Sequence, residues 1–214
     1  MGILKEVPPT AGLPFSPKEI FSVLSGNDNP SLDDGLREYL STPYARVTYS
    51  GTAALYTILE ALKTISSKKC VIIPSFICPL VPLAITRAGL KVQVCDVKKE
   101  DFNLDTEELG RIFAENRDIL AVIPTHIAGI PVSVESITQA CRENDIFIIE
   151  DCAQALGARR AGKKIGTAGD LSFYSLCRGK GLTIYEGGVI SCQARFAQLI
   201  EQTHRRLAAE DRTS

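Results

Sequence analysis

Three short segments hold residues able to act on a carbonyl or an amine. Ser50-Gly51-Thr52-Ala53-Ala54-Leu55 leads from an apolar run straight into a helix. Glycine lets the backbone approach closely, and the free N–H groups with the positive end of a helix dipole suit an anion such as phosphate. Glu150-Asp151 closes another apolar run, where a carboxylate is costly to desolvate without a cationic partner such as a protonated pyridine nitrogen. Arg178-Gly179-Lys180-Gly181 places a lysine between two glycines with a second cation close by, a setting that favours the amine able to attack a carbonyl. Each segment alone also has a plain structural use: a tight strand-to-helix turn, a helix N-cap or surface carboxylate, and a solvated lysine in a basic turn.

These segments need elements that bring them together. Apolar runs at 46–49, 70–73, 91–95, 119–123 and 146–149 alternate with helical patterns at 51–63, 79–88, 106–115 (capped by Asp105) and 134–142. Such alternation predicts βαβ units and a mainly parallel sheet covered on both faces, an α/β fold. Ligands of these sheets bind beyond the carboxyl ends of the strands. Both Gly51 and Asp151 fall there, and Lys180 lies between two further strand-like runs. The first forty residues read as an arm with short helices at 16–26 and 31–40, the first opened by Ser16-Pro17-Lys18-Glu19. A helical, charged stretch at 194–210 reads as an exposed amphipathic helix.

Composition narrows the function classes. The 214 residues carry 24 Lys+Arg against 25 Asp+Glu, a net charge of -1, which removes the electrostatic case for a nucleic-acid binder or a membrane-surface protein. No apolar run approaches the roughly 20 residues that span a bilayer, and the N-terminus does not read as a signal peptide. Seven cysteines, without a C-x-x-C pair or a nearby histidine to complete a zinc set, argue against a metal site and fit a reducing compartment. On composition the protein is expected in the cytoplasm.

Taken in order, the anion turn, the strand-end Asp and the later Lys resemble the cofactor-holding set of fold-type-I pyridoxal-phosphate enzymes. More narrowly, the sequence is similar to the DegT/DnrJ/StrS sugar aminotransferase family. The matching segments are SGTAAL (50–55), the PSF…AGLKVQVCD stretch within 73–96, PTHIAGIP (124–131), IIEDCAQALGA (148–158) and YSLCRGKGLTIYEGG (174–188). The resemblance implies a three-layer αβα large domain of the aspartate aminotransferase type over 41–214, after an arm over 1–40. Pyridoxal 5'-phosphate is the implied cofactor. Gly51 and Thr52 then match the phosphate turn, and Ser175 a hydroxyl on the same phosphate. Asp151 matches the carboxylate on the pyridine nitrogen, Gln154 a polar group near the ring's phenolic side, and Lys180 the Schiff-base lysine that also moves the proton. His126 matches a family histidine to which no catalytic role is given.

The implied activity moves an amino group from an amino acid, glutamate or glutamine, to a keto sugar, nucleotide-linked, in amino-sugar or polysaccharide biosynthesis. The implied assembly is a homodimer. Two departures stand out. The position aligned with an aromatic that stacks on the cofactor ring is Cys78, with Phe76 the nearest aromatic. Family chains are also longer, so a C-terminal small domain is expected to be missing, to be supplied by a partner chain in one reading. A non-catalytic remnant and a dehydratase or lyase on the same fold are the alternatives; Lys180, Asp151 and Ser175 occurring together favour the aminotransferase.

Overall fold

The computed structural model describes residues 31–210; the helix expected at 16–26 lies outside them. The described chain runs α1 (Leu32–Leu40), β1 (Tyr44–Thr48), α2 (Gly51–Ile65), β2 (Cys70–Pro74), α3 (Leu80–Arg87), β3 (Lys91–Cys95), α4 (Thr106–Glu115) and β4 (Ile119–Val122). It continues through α5 (Glu135–Glu143), β5 (Phe147–Asp151), β6 (Arg159–Arg160), β7 (Lys163–Lys164), β8 (Leu171–Ser175), β9 (Gly188–Cys192) and α6 (Ala194–Glu210).

Seven strands form one sheet in the order β1-β9-β8-β5-β4-β2-β3. From β3 to β8 all pairings are parallel, whereas β9 runs antiparallel to both β8 and β1. The core explains why the strands are apolar on both faces. Along each strand successive side chains point to opposite sides. Val71, Ala121, Ile149, Phe173 and Ile190 pack with Ala54, Leu55 and Ile58 of α2, Ile85 of α3, and Phe196 and Ile200 of α6. Their neighbours Ile72, Val122 and Ile148 face the other way, onto Leu109 and Phe113 of α4 and Ile137 and Cys141 of α5. Tyr174 and Val189 share that side with Leu36 and Leu40 of α1. Helices therefore cover both faces, the three-layer αβα arrangement expected.

The helix starts obey local chemistry. Ser31 caps α1 by accepting the Asp34 amide (3.2 Å), and Asp105 caps α4 by accepting from Glu107 and Glu108. Helix α6 is amphipathic as expected, and its inner face is buried rather than exposed. It is also tied down electrostatically: Arg46 of β1 pairs with Glu201 of α6 and, at 2.8 Å, with Asp33 of α1. The sequence reading contained no β6–β7 hairpin. Its turn residues Ala161 and Gly162 both have positive φ (48° and 79°), the combination of a tight two-residue hairpin turn. Among the described residues no helix is long and apolar enough to cross a membrane.

One edge of this sheet collects the residues of interest. In the ladder, Gly188 of β9 stands between Thr48 of β1 and Ser175 of β8. The carboxyl ends of β1, β5 and β8 thus open on the same side, next to the start of α2.

Candidate active site

A cavity of about 250 Å³ lies at that edge, lined among others by Gly51, Thr52, Cys78, Thr125, Asp151, Gln154, Ser175, Arg178 and Lys180. Seven of the eight residues singled out from the sequence meet there. The eighth, Phe76, does not line it: the ring is 60 % exposed and stacked on Phe102 at 5.9 Å between centroids. Of the two residues considered for the face of a ring, the fold brings Cys78 and not Phe76 to the cavity, because Phe76 leaves the end of β2 on the outward side of the β2–α3 loop.

The anion end is made of backbone. Ser50 adopts extended φ/ψ and its hydroxyl accepts the Ala53 amide (3.0 Å). The Gly51 and Thr52 amides, in the first turn of α2, have no intrahelical acceptor, and both residues line the cavity at the positive end of the helix dipole. Space is tight at Gly51: a Cβ there would stand 3.2 Å from the Ser175 Cβ and 3.3 Å from the Tyr174 carbonyl oxygen, so these neighbours would have to give by a few tenths of an ångström. The close packing brings the Ser175 hydroxyl beside the helix start, where it also accepts the Cys177 amide at 3.4 Å.

Asp151 ends β5 and is 4 % exposed. Its main chain is locked to the β4–α5 segment: its amide donates to Pro124 O (2.9 Å) and its carbonyl accepts from His126 N (3.0 Å). One carboxylate oxygen accepts the Ala153 amide at 3.0 Å. Burial pushes the carboxyl up from 3.8 to about 6, against smaller downward pulls from that amide, His126 and Lys180. A carboxylate raised by desolvation binds its proton more tightly folded than unfolded, so its ionisation subtracts stability as pH rises from 3.8 to about 6. In the unliganded chain, Asp151→Asn is therefore expected to gain stability relative to wild type across that window and to keep a constant advantage above it. Urea unfolding of both proteins over a pH series reads the difference; a gap that does not change with pH contradicts the burial penalty.

Lys180 follows a turn closed by its own amide on Cys177 O (3.2 Å), with Gly179 at φ 81°, a conformation suited to glycine at the third position. Its side chain is half-buried, and among the described residues no carboxylate lies within ion-pair distance. Gln154 uses its Oε1 to accept the Ala128 amide at 2.9 Å, which leaves its NH2 end for donation. Behind the cavity, Glu150 is a buried anchor. Its carboxylate accepts the Gly166, Ala168 and Gly169 amides (3.0, 2.8 and 2.6 Å) and meets His126 Nε2 at 3.0 Å. Since His126 Nδ1 accepts the Val132 amide (3.1 Å), Nε2 is the nitrogen that donates to Glu150. Both ring nitrogens are thus engaged within the protein.

Thr125 and the Glu150–His126 pair were not picked out as site-forming from sequence. Thr125 follows apolar strand β4 and bridges to Asp151, so the rule that reads strand ends would have found it.

The donor set fits a small aromatic aldehyde phosphate. It offers first-turn amides and a hydroxyl for the phosphate, together with a desolvated carboxylate and an amine that make no ion pair among the described residues.

The family model described as the DegT/DnrJ/EryC1/StrS aminotransferase family matches residues 19–204. The chain is 31% identical over 153 residues to GDP-perosamine synthase of Vibrio cholerae, covering 72% of this chain and 41% of the relative. It is likewise 31% identical over 166 residues to UDP-4-amino-4,6-dideoxy-N-acetyl-beta-L-altrosamine transaminase of Campylobacter jejuni, covering 77% and 43%. The chain thus spans less than half the length of these curated relatives. Among solved structures, Helicobacter pylori PseC, an aminotransferase involved in the biosynthesis of pseudoaminic acid, superposes with a TM-score of 0.77 at 24% identity over 86% of this chain and 51% of PseC. A match over most of the sequence, on a fold that assembles the expected cavity, makes this chain a member of the DegT/DnrJ/EryC1/StrS aminotransferase family.

Proposed function

We propose that this chain forms the cofactor-binding part of an aminotransferase that moves an amino group from glutamate or glutamine to a nucleotide-linked keto sugar. The observation behind the reading is the convergence of the first turn of α2, Ser175, Asp151 and Lys180 on one cavity. The relatives named for perosamine and altrosamine chemistry support the sugar acceptor. Pyridoxal phosphate, the cofactor of this family, supplies when bound an aldehyde that takes up amines and a ring that acts as an electron sink.

The amides of Gly51 and Thr52 and the Ser175 hydroxyl would hold the phosphate, by backbone geometry rather than bulk charge. Asp151 would hold the proton on the ring nitrogen, and that cation would relieve the desolvation cost of its own carboxylate. Gln154 would donate its NH2 toward the ring's phenolic oxygen. Lys180 would bind the cofactor covalently and then, once displaced, move the proton at the reacting carbon. Cys78 would stand at the ring face where many relatives have an aromatic.

We infer a second copy of the chain as partner, supported by the exposed Tyr49, Phe76, Leu80 and Leu83, of which Leu80 lines the cavity. A cytoplasmic location is supported by seven free cysteines without a disulfide. The test of the activity is the donor half-reaction. Chain loaded with pyridoxal phosphate and mixed with glutamate or glutamine is expected to release the corresponding keto acid in proportion to bound cofactor, and then to aminate a nucleotide-linked keto sugar. No keto acid from either donor would contradict the proposal.

A further inference from the structure

Of the seven cysteines, Cys70, Cys95, Cys141, Cys152 and Cys192 are buried in the core. Burial pushes the thiols of Cys95, Cys141 and Cys192 up to about 12 and raises that of Cys152 well above the ordinary thiol value. The two that solvent reaches, Cys177 (exposed) and Cys78 (half-buried), lie far apart in sequence, yet both line the same cavity as Lys180 and Asp151. Cys177 is bonded through its amide to the Ser175 hydroxyl, and its carbonyl closes the turn that presents Lys180. Two cations, Arg178 and Lys180, share the lining with it, against one buried carboxylate, Asp151.

We propose that Cys177 and Cys78 form a thiol gate on the cofactor cavity, a modification site for small anionic disulfides that blocks cofactor entry. The proposal rests on the cavity being the cofactor site. The thiolate is the attacking species. The Cys177 thiolate attacks one sulfur of the disulfide, a new S–S bond forms, and the leaving thiolate takes up the proton that Cys177 released. One disulfide is exchanged for another, so the small disulfide itself is the oxidant and excess small thiol reverses the step. A bulky anion on Cys177 would then take up room in the cavity that Ser175 and Lys180 also line, and so compete with the cofactor for it. Cys78, in the same lining but less exposed, reacts second for want of access.

Glutathione disulfide is the probe, with mass spectrometry for the adducts and bound-cofactor absorbance for the consequence. The expected order of adducts is Cys177, then Cys78, with the five buried cysteines unmodified in the folded chain; prior pyridoxal phosphate slows both. The modified chain is expected to lose cofactor uptake and regain it with dithiothreitol. In Cys177→Ser the fast adduct disappears and the loss of uptake follows the slower adduct at Cys78. Adducts appearing first at a buried cysteine, full uptake by the modified chain, or loss in Cys177→Ser at the wild-type rate would each overturn the gate alone. An unmodified chain that takes up no cofactor would overturn the reading of the cavity, and the gate with it.

Discussion

Lys180→Ala is expected to leave a folded chain that no longer retains pyridoxal phosphate covalently and whose amino transfer falls by about 10² to 10⁴ or more, the range a positioned proton-transfer group supplies. The fold should not notice the change. Lys180 follows a surface turn whose defining bond is its own main-chain amide to Cys177 O, and its side chain makes no ion pair among the described residues. A surface substitution of this kind shifts stability by within about 0.5 kcal/mol. Alanine keeps the main-chain amide and hence the turn. The phosphate end, Gly51, Thr52 and Ser175, is untouched, so reversible cofactor binding should persist while covalent retention disappears. Retained transfer with retained covalent cofactor would move the role to another lysine. Loss of transfer together with loss of folding would show that the turn, not the amine, was removed.

The second large effect is structural and reaches the site through the backbone. Gly188 stands between β1 and β8 at the start of β9, opposite Thr48 and Ser175. A Cβ at this position would lie 2.5 Å from the Gly51 amide nitrogen and closer still to the Ser50 carbonyl. The neighbours it meets are main-chain atoms at the start of α2, which cannot rotate away as a side chain could. Gly188→Ala must therefore push the first turn of α2 off the sheet edge. Overpacking costs typically 1–3 kcal/mol and occasionally more, and backbone neighbours put this case at about 3 kcal/mol. For a chain of this size that corresponds to a fall in Tm of about 6–12 °C. Because the displaced atoms are the phosphate amides themselves, cofactor affinity should fall more than stability alone explains. The measurement is cofactor titration well below the lowered Tm. Wild-type affinity in a destabilised variant would detach the α2 start from the cofactor site.

These two residues also mark what could be read from the chain before its structure. Buried parallel strands announce themselves as short apolar runs, and the helices between them as amphipathic stretches with caps such as Asp105. Their carboxyl ends follow, which is why Gly51 and Asp151 could be named. Strand direction is a different matter. Gly188–Cys192 is as apolar on both faces as β5 or β8, and nothing in such a run says that β9 is antiparallel. The need for glycine at 188 arises from a neighbour more than a hundred residues earlier, so local sequence is silent on it. The β2–α3 loop shows the same limit: Phe76 and Cys78 are two residues apart, and only the packed loop decides which faces the cavity. Glu150 beside Asp151 illustrates a further one. Both are acids at the end of one strand, yet alternation sends Asp151 into the cavity and Glu150 behind it, where three amides and His126 satisfy it.

Borohydride reduction of the cofactor-loaded chain, followed by peptide mass mapping, reads out whether this cavity holds pyridoxal phosphate on Lys180. One phosphopyridoxyl group is expected, carried by the peptide that contains Lys180. A group fixed to any other lysine, or no fixed group from a chain that is folded and saturated with cofactor, would contradict it.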